Sequence, residues 1–106
     1  MIKAVYSFTD EHFTYLSIKG HAGYADAGQD IVCAAVSSIA FGLMNALDER
    51  GGCQIRENNN HIEIIIDKPD VKSDDYLELV LFQLKTIEES YGEFIKVERK
   101  WVWNIF

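Results

Sequence analysis

"GHAGYADAGQDIVCAAVSS", residues 20–38, changes character partway along, and the change decides how the whole chain is read. Up to Gln29 it is rich in glycine; Gly20, Gly23 and Gly28 give this flexible loop backbone conformations closed to other residues and let another backbone approach closely. From Ile31 it turns apolar and alanine-rich, running to residue 49 as IVCAAVSSIAFGLMNALDE, which is too long for a strand. Asp30 stands in front as a candidate N-cap, and the glycine pair at 51–52 is a stop signal. The pattern predicts a helix over 31–49 that is apolar on nearly every side, hence buried rather than amphipathic.

The flanks read as strands. IKAVYSF (2–8) and HFTYLSIK (12–19) are rich in β-branched and aromatic residues around TDE, which predicts a hairpin. CQIRE and HIEIIID flank Asn58, Asn59 and Asn60, and Ile62, Ile64 and Ile66 share a face by period two, giving a second hairpin. After Pro69, Ser73 is a candidate cap for a helix over 74–91. Its apolar stripe is Leu77, Val80, Leu81, Leu84, Ile87 and Tyr91, with Asp74 and Asp75 near its positive end and Gly92 as its stop. EFIKVERKWVWNIF supplies a last strand, so the order is ββαββαβ. Such an order fits an α+β sandwich, a mainly antiparallel sheet with two helices on one face, its strand order open. The closing WVWNIF reads either as a dimer interface or as the end of a core strand.

With 106 residues the expectation is a single domain, 1–106, and 48% hydrophobic residues with one proline place it among ordered globular chains. The first residues show no basic segment leading into a long apolar stretch, and no run approaches the roughly 18 residues of a membrane span. A cytoplasmic protein without membrane contact is therefore expected, with Cys33 and Cys53 as free thiols. A net charge of −7 argues against direct nucleic-acid binding, which needs clustered Lys and Arg, and suits a basic protein partner.

The chemistry centres on the start of the first helix. Behind an Asp30 cap, Cys33 occupies the third helical position, where unpaired amides and the helix dipole favour a thiolate. His21 ends the second strand, and the loop must return the chain to that helix, so an imidazole and the thiol can meet. Asp30 has two compatible readings, helix cap and orienter of His21 or substrate; Ser37 lies one turn beyond Cys33 and can face the same side. Each residue also has a plain structural reading: Cys33 as a small buried hydrophobe, His21 as a surface residue, Asp30 as a cap, and Ser37 and Ser38 as small packing residues. His21, Cys33, Cys53 and His61 lack the close pairs of structural zinc sites, so no metal is expected. The glycine loop lacks the lysine of a phosphate-binding loop, and His12 and His61 read as exposed residues beside turns.

This combination of histidine, glycines, aspartate and cysteine resembles the ribosomal-processing cysteine protease family, Prp, of bacteria, whose hallmark is a GHA…G…DI-hydrophobic-CAAVS segment. The resemblance spans essentially the whole chain. It implies removal of a short N-terminal extension from the basic large-subunit ribosomal protein twenty-seven, without cofactor. It also implies Cys33 as nucleophile, His21 as its acid–base partner, Asp30 and Ser37 in support, and a homodimer. Attack by the thiolate would give an acyl-enzyme, with first-turn amides, that of Cys33 included, facing the oxyanion. Rivals are a noncatalytic module binding a ribosomal protein or assembly factor, and a cysteine hydrolase of small amides or thioesters with a deep, closed pocket.

Overall fold

The computed structural model describes residues 1–26 and 28–100. Five strands and two helices follow one another as β1 (Ile2–Thr9), β2 (His12–Lys19), α1 (Ile31–Arg50), β3 (Cys53–Asn58), β4 (His61–Ile66), α2 (Val71–Tyr91) and β5 (Ile95–Arg99). The sheet order is β3-β4-β2-β1-β5, antiparallel except for the β1/β5 pair. The α+β class and the element order agree with the sequence patterns.

Both hairpins form where their turn residues lie. Asp10 and Glu11 take left-handed φ values of 52° and 66°, which a two-residue connection between twisted antiparallel strands requires. Asn60 does the same at 61° between β3 and β4. Alternation then sorts the sheet into two faces: Ile2, Ala4, Leu16, Ile18, Ile64 and Ile66 are buried toward the helices, and Lys3, Lys19 and Arg56 point away from them. The first hairpin and β4 thus form the middle of the sheet, and β3 and β5 are its edges.

Three expectations are corrected by packing. Helix α1 buries only the stripe Val32, Val36, Ala40, Leu43 and Leu47, leaving Ile31 and Phe41 exposed, because the sheet and the second helix cover it on one side only. By length and composition α1 does reach the measure of a membrane span, a run the sequence pattern had not yielded. Helix α2 starts three residues before the expected position: Asp70 is the cap and Ser73 completes a reciprocal capping box, its amide donating to Asp70 Oδ1 at 2.8 Å while its Oγ accepts from the Asp70 amide at 2.9 Å. Strand β5 runs over Ile95–Arg99, and the Lys100 amide extends its pairing by donating to the Tyr6 carbonyl at 2.8 Å. Residues 101–106, the expected interface or core-strand end, lie outside the described residues.

The two helices are joined at their ends by Arg50. Its guanidinium donates to the Gly51 and Lys68 carbonyls and pairs with Asp70 at 3.1 Å, binding the end of α1 to the start of α2. One turn further along α2, Asp74 accepts from the Phe13 amide at 3.0 Å and lies 2.6 Å from His12 Nδ1. His12 is therefore a docking residue between hairpin and helix, and Asp74 does more than complement the helix dipole.

Gly20 leaves the central strand β2 at φ +101°, and a Cβ placed on it would stand 2.5 Å from the Met1 carbonyl oxygen. We expect Gly20→Ala to lower the unfolding free energy by about 1–3 kcal/mol in urea titrations, since backbone strain and a steric clash act together. Gly42, in the α1 interior with open space beside it, is the control: Gly42→Ala should raise stability by about 0.5–1 kcal/mol.

Candidate active site

The end of β2 and the start of α1 come together in the fold. Gly20 donates its amide to the Asn60 carbonyl at 2.8 Å, which fixes the exit of the chain from the middle of the sheet. His21 follows on the surface, and Ala22 turns inward to become buried. The Ala22 amide then donates to Cys33 Sγ at 3.3 Å. Cys33 is the third residue of α1, half-buried and free of any disulfide. The sulfur is thereby held against the loop backbone at the origin of the helix.

Asp30 holds this geometry. One carboxylate oxygen accepts from the Cys33 amide at 2.9 Å, and the other from the Tyr24 and Ala25 amides at 3.1 and 3.4 Å. The Cys33 amide above all, aided by those of Ala25 and Tyr24 and against some desolvation, keeps the carboxyl below the usual aspartate range. With its oxygens engaged by three amides, Asp30 is a loop and helix cap, and among the described residues it makes no bond to His21. The same cap overturns one expectation: the Cys33 N–H is committed to Asp30, and is not a free donor for an oxyanion.

His21 and Cys33 face two clefts in common. One, of about 450 Å³, is also bordered by Gly23, Ala25, Gly28 and Ser37. The other, of about 280 Å³, extends toward the β3–β4 turn past Ser37, Phe41, Glu57 and His61. The sequence-derived set Cys33, His21 and Ser37 is thus brought to one place. No hydrogen bond joins the imidazole to the sulfur among the described residues. Gly20, Gly23 and Gly28 all adopt positive φ, at 101°, 72° and 83°. At Gly20 the Met1 carbonyl of the same chain lies close enough to leave no room for a side chain. A further cleft of about 420 Å³, beside Tyr6, Phe8, Phe13 and Phe82, is lined by neither cysteine nor histidine.

The other cysteine and histidines lead elsewhere. Cys53 sits beyond the far end of α1, its thiol donating to the Leu47 carbonyl at 3.5 Å, about 21 Å from the first turn by helix rise. Burial pushes that thiol up, against the nearby Arg50 charge. His61 is half-buried, with Nε2 3.0 Å from Ser17 Oγ on the sheet face away from the helices. Of the four residues of the zinc pattern, Cys53 thus stands apart, while His61 borders one of the clefts that His21 and Cys33 share. Two features escaped sequence reasoning: the Ala22 amide, which no side-chain pattern reports, and the Tyr24 ring, which packs edge-on against Tyr91 and Phe94 at centroid distances of 5.6 and 5.2 Å.

A half-buried thiol at a helix origin, sharing clefts with an imidazole, is the equipment of a cysteine hydrolase. Residues 1–96 match the family model described as cysteine protease Prp. The ribosomal processing cysteine protease Prp of Staphylococcus aureus is 35% identical over 92 residues, 82% of this chain and 87% of its own length. Its counterpart in Mycoplasma pneumoniae is 39% identical over 85 residues, 78% of this chain and 84% of its own length. Among solved structures, S. aureus Prp in complex with a covalently linked product peptide superposes with a TM-score of 0.84 at 32% identity, over 94% of this chain and all of that one. The same protease with a substrate peptide gives 0.77 at 29% identity, over 94% of this chain and all of that one. The chain belongs to the Prp family of cysteine proteases.

Because folding lowers the Asp30 pKa, its stabilisation is present above the unfolded value near pH 4 and is lost as pH falls through the lowered folded value. Thermal unfolding of wild type and Asp30→Asn between pH 7 and pH 3 should show the wild type melting higher at neutral pH. The gap should close toward pH 3.

Proposed function

We propose that this chain is an endopeptidase that removes the N-terminal extension of large-subunit ribosomal protein twenty-seven, working in the cytoplasm in support of ribosome assembly. One observation carries this reading: the Ala22 amide bonds to a half-buried Cys33 sulfur on clefts that His21 shares. The solved structures of a Prp relative with substrate and covalently linked product peptides support a peptide in those clefts.

In this mechanism the Cys33 thiolate attacks the scissile carbonyl, and the C–S bond forms as the carbonyl electrons move to oxygen. Collapse of the tetrahedral intermediate expels the amine, which takes a proton from His21; the imidazole then accepts a proton from water as it hydrolyses the acyl-enzyme and frees the thiol. Asp30 keeps the helix start in place, and Ser37 borders the bound peptide. With the Cys33 amide engaged, the Ala22 amide is the donor already aimed at the reacting centre as charge leaves sulfur for oxygen. The net charge of −7 suits a basic ribosomal substrate, whose association should slow as salt is added. A homodimer fits the exposed Leu79 and Phe82, one turn apart on α2.

The partial exposure of Cys33 favours this mechanism over a noncatalytic module in which that cysteine merely packs. Intact-mass analysis of the extended ribosomal protein after incubation should show cleavage by wild type and none by Cys33→Ala or His21→Ala. Both variants should keep the wild-type circular dichroism spectrum. Near neutral pH, iodoacetamide should modify Cys33 at least about tenfold faster than Cys53, whose thiol is held neutral by burial. Equal rates, or cleavage by Cys33→Ala, would refute the assignment.

A further inference from the structure

We infer that Tyr24 is a positioning residue for the site, its ring acting as a latch that keeps the segment from His21 to Ala25 in register with the Cys33 sulfur. This rests on the reading of Cys33 and His21 as the reacting pair. The ring stands edge-on to Tyr91 and Phe94, with interplanar angles of 87° and 81°, the orientation that brings a positive ring edge to a negative ring face. The socket is itself well fixed. The Phe94 amide donates to the Tyr91 carbonyl at 2.8 Å, and the Phe94 carbonyl accepts from the Ile2 amide at 2.8 Å, so the end of α2, the start of β5 and the start of β1 meet there. Tyr91 and Phe94 also pack against the core, whereas Tyr24 remains 42% exposed.

An exposed aromatic residue on a glycine-bearing segment adds little to a core, so its contacts act on the segment that carries it. Tyr24 lies two residues after Ala22, with Gly23 between them at φ +72°. Its amide is held by Asp30 Oδ2, the same side chain that caps Cys33 through Oδ1. The ring therefore fastens one side of the segment to the end of α2 and the turn before β5, and the carboxylate fastens it to α1. Gly23 and Ala25 border the cleft that Cys33 and His21 share and Tyr24 does not, so the ring works through the backbone and not by touching a bound peptide. Without it, the freedom of Gly23 would let the Ala22 amide leave the sulfur and His21 leave its place at the cleft.

The test compares wild type, Tyr24→Ala, Tyr24→Leu and Tyr24→Phe by two independent measurements. The first is hydrogen exchange of the Ala22 amide by NMR, referenced to the buried amides of α1; the second is kcat and KM for cleavage of the extended ribosomal protein. Tyr24→Ala should speed Ala22 exchange and lower kcat by about tenfold each, the scale of one or two lost ring pairs, with KM within about twofold. Tyr24→Leu, which keeps apolar volume and fold without the ring, should behave like Tyr24→Ala. Tyr24→Phe, which keeps both ring contacts, should restore both values. Unchanged Ala22 exchange in Tyr24→Ala and Tyr24→Leu overturns the latch, whatever happens to kcat, and so does a Tyr24→Phe variant as impaired as Tyr24→Ala. If the wild type cleaves nothing, the peptidase assignment fails while the exchange comparison still decides the latch.

Discussion

The Asp30 carboxylate is the joint on which the site depends. A helix start has amides without partners, and a glycine-rich segment has few side chains with which to fix itself; one side chain answers both needs. Oδ1 takes the Cys33 amide and Oδ2 those of Tyr24 and Ala25, so the first turn of α1 and the loop before it become a single unit. The sulfur then lies where the loop backbone turns back on it, and the Ala22 amide finds it. Charge on Asp30 is favoured by the same amides, which makes the joint strongest when the carboxyl is ionised.

The sheet fixes where that unit stands. Because β2 lies between β4 and β1, its exit is constrained on both sides: the Gly20 amide bonds to the Asn60 carbonyl, and the Met1 carbonyl leaves no room for a side chain on Gly20. His21 is the next residue, so the imidazole emerges from the best-braced part of the fold. The end of α2 and the turn that follows it contribute at a distance through Tyr91 and Phe94. The position of the thiol is thus set by most of the chain, although the proposed reacting groups come from the thirteen residues from His21 to Cys33.

Much of this was legible in the residues themselves. Alternation gave the hairpins, the Asp30 cap and the glycine stop gave α1 to within a residue, and the lone helix-start cysteine gave the place to look for chemistry. The misses have physical causes. Asp70 outcompeted Ser73 as the α2 cap because a carboxylate accepting at that point lets the serine answer from the third position, and either residue alone carries the same local signal. The one-sided burial of α1 depended on what packs on it, which composition does not report. His12 and His61 found partners more than forty residues away in sequence, on α2 and β2, and nothing local predicts a pairing at that separation. The Ala22 amide belongs to the backbone, so it leaves no trace in the choice of side chain.

The separation of the two cysteines along α1 has a redox consequence. A peroxide-damaged thiol in many enzymes escapes overoxidation by forming a disulfide with a second cysteine within reach. Here Cys53 is bonded to the Leu47 carbonyl beyond the far end of a twenty-residue helix, far outside the span that a disulfide can bridge. A sulfenic acid on Cys33 therefore has no second cysteine of this chain within reach, and its reduction falls to small thiols diffusing into the clefts that Cys33 borders.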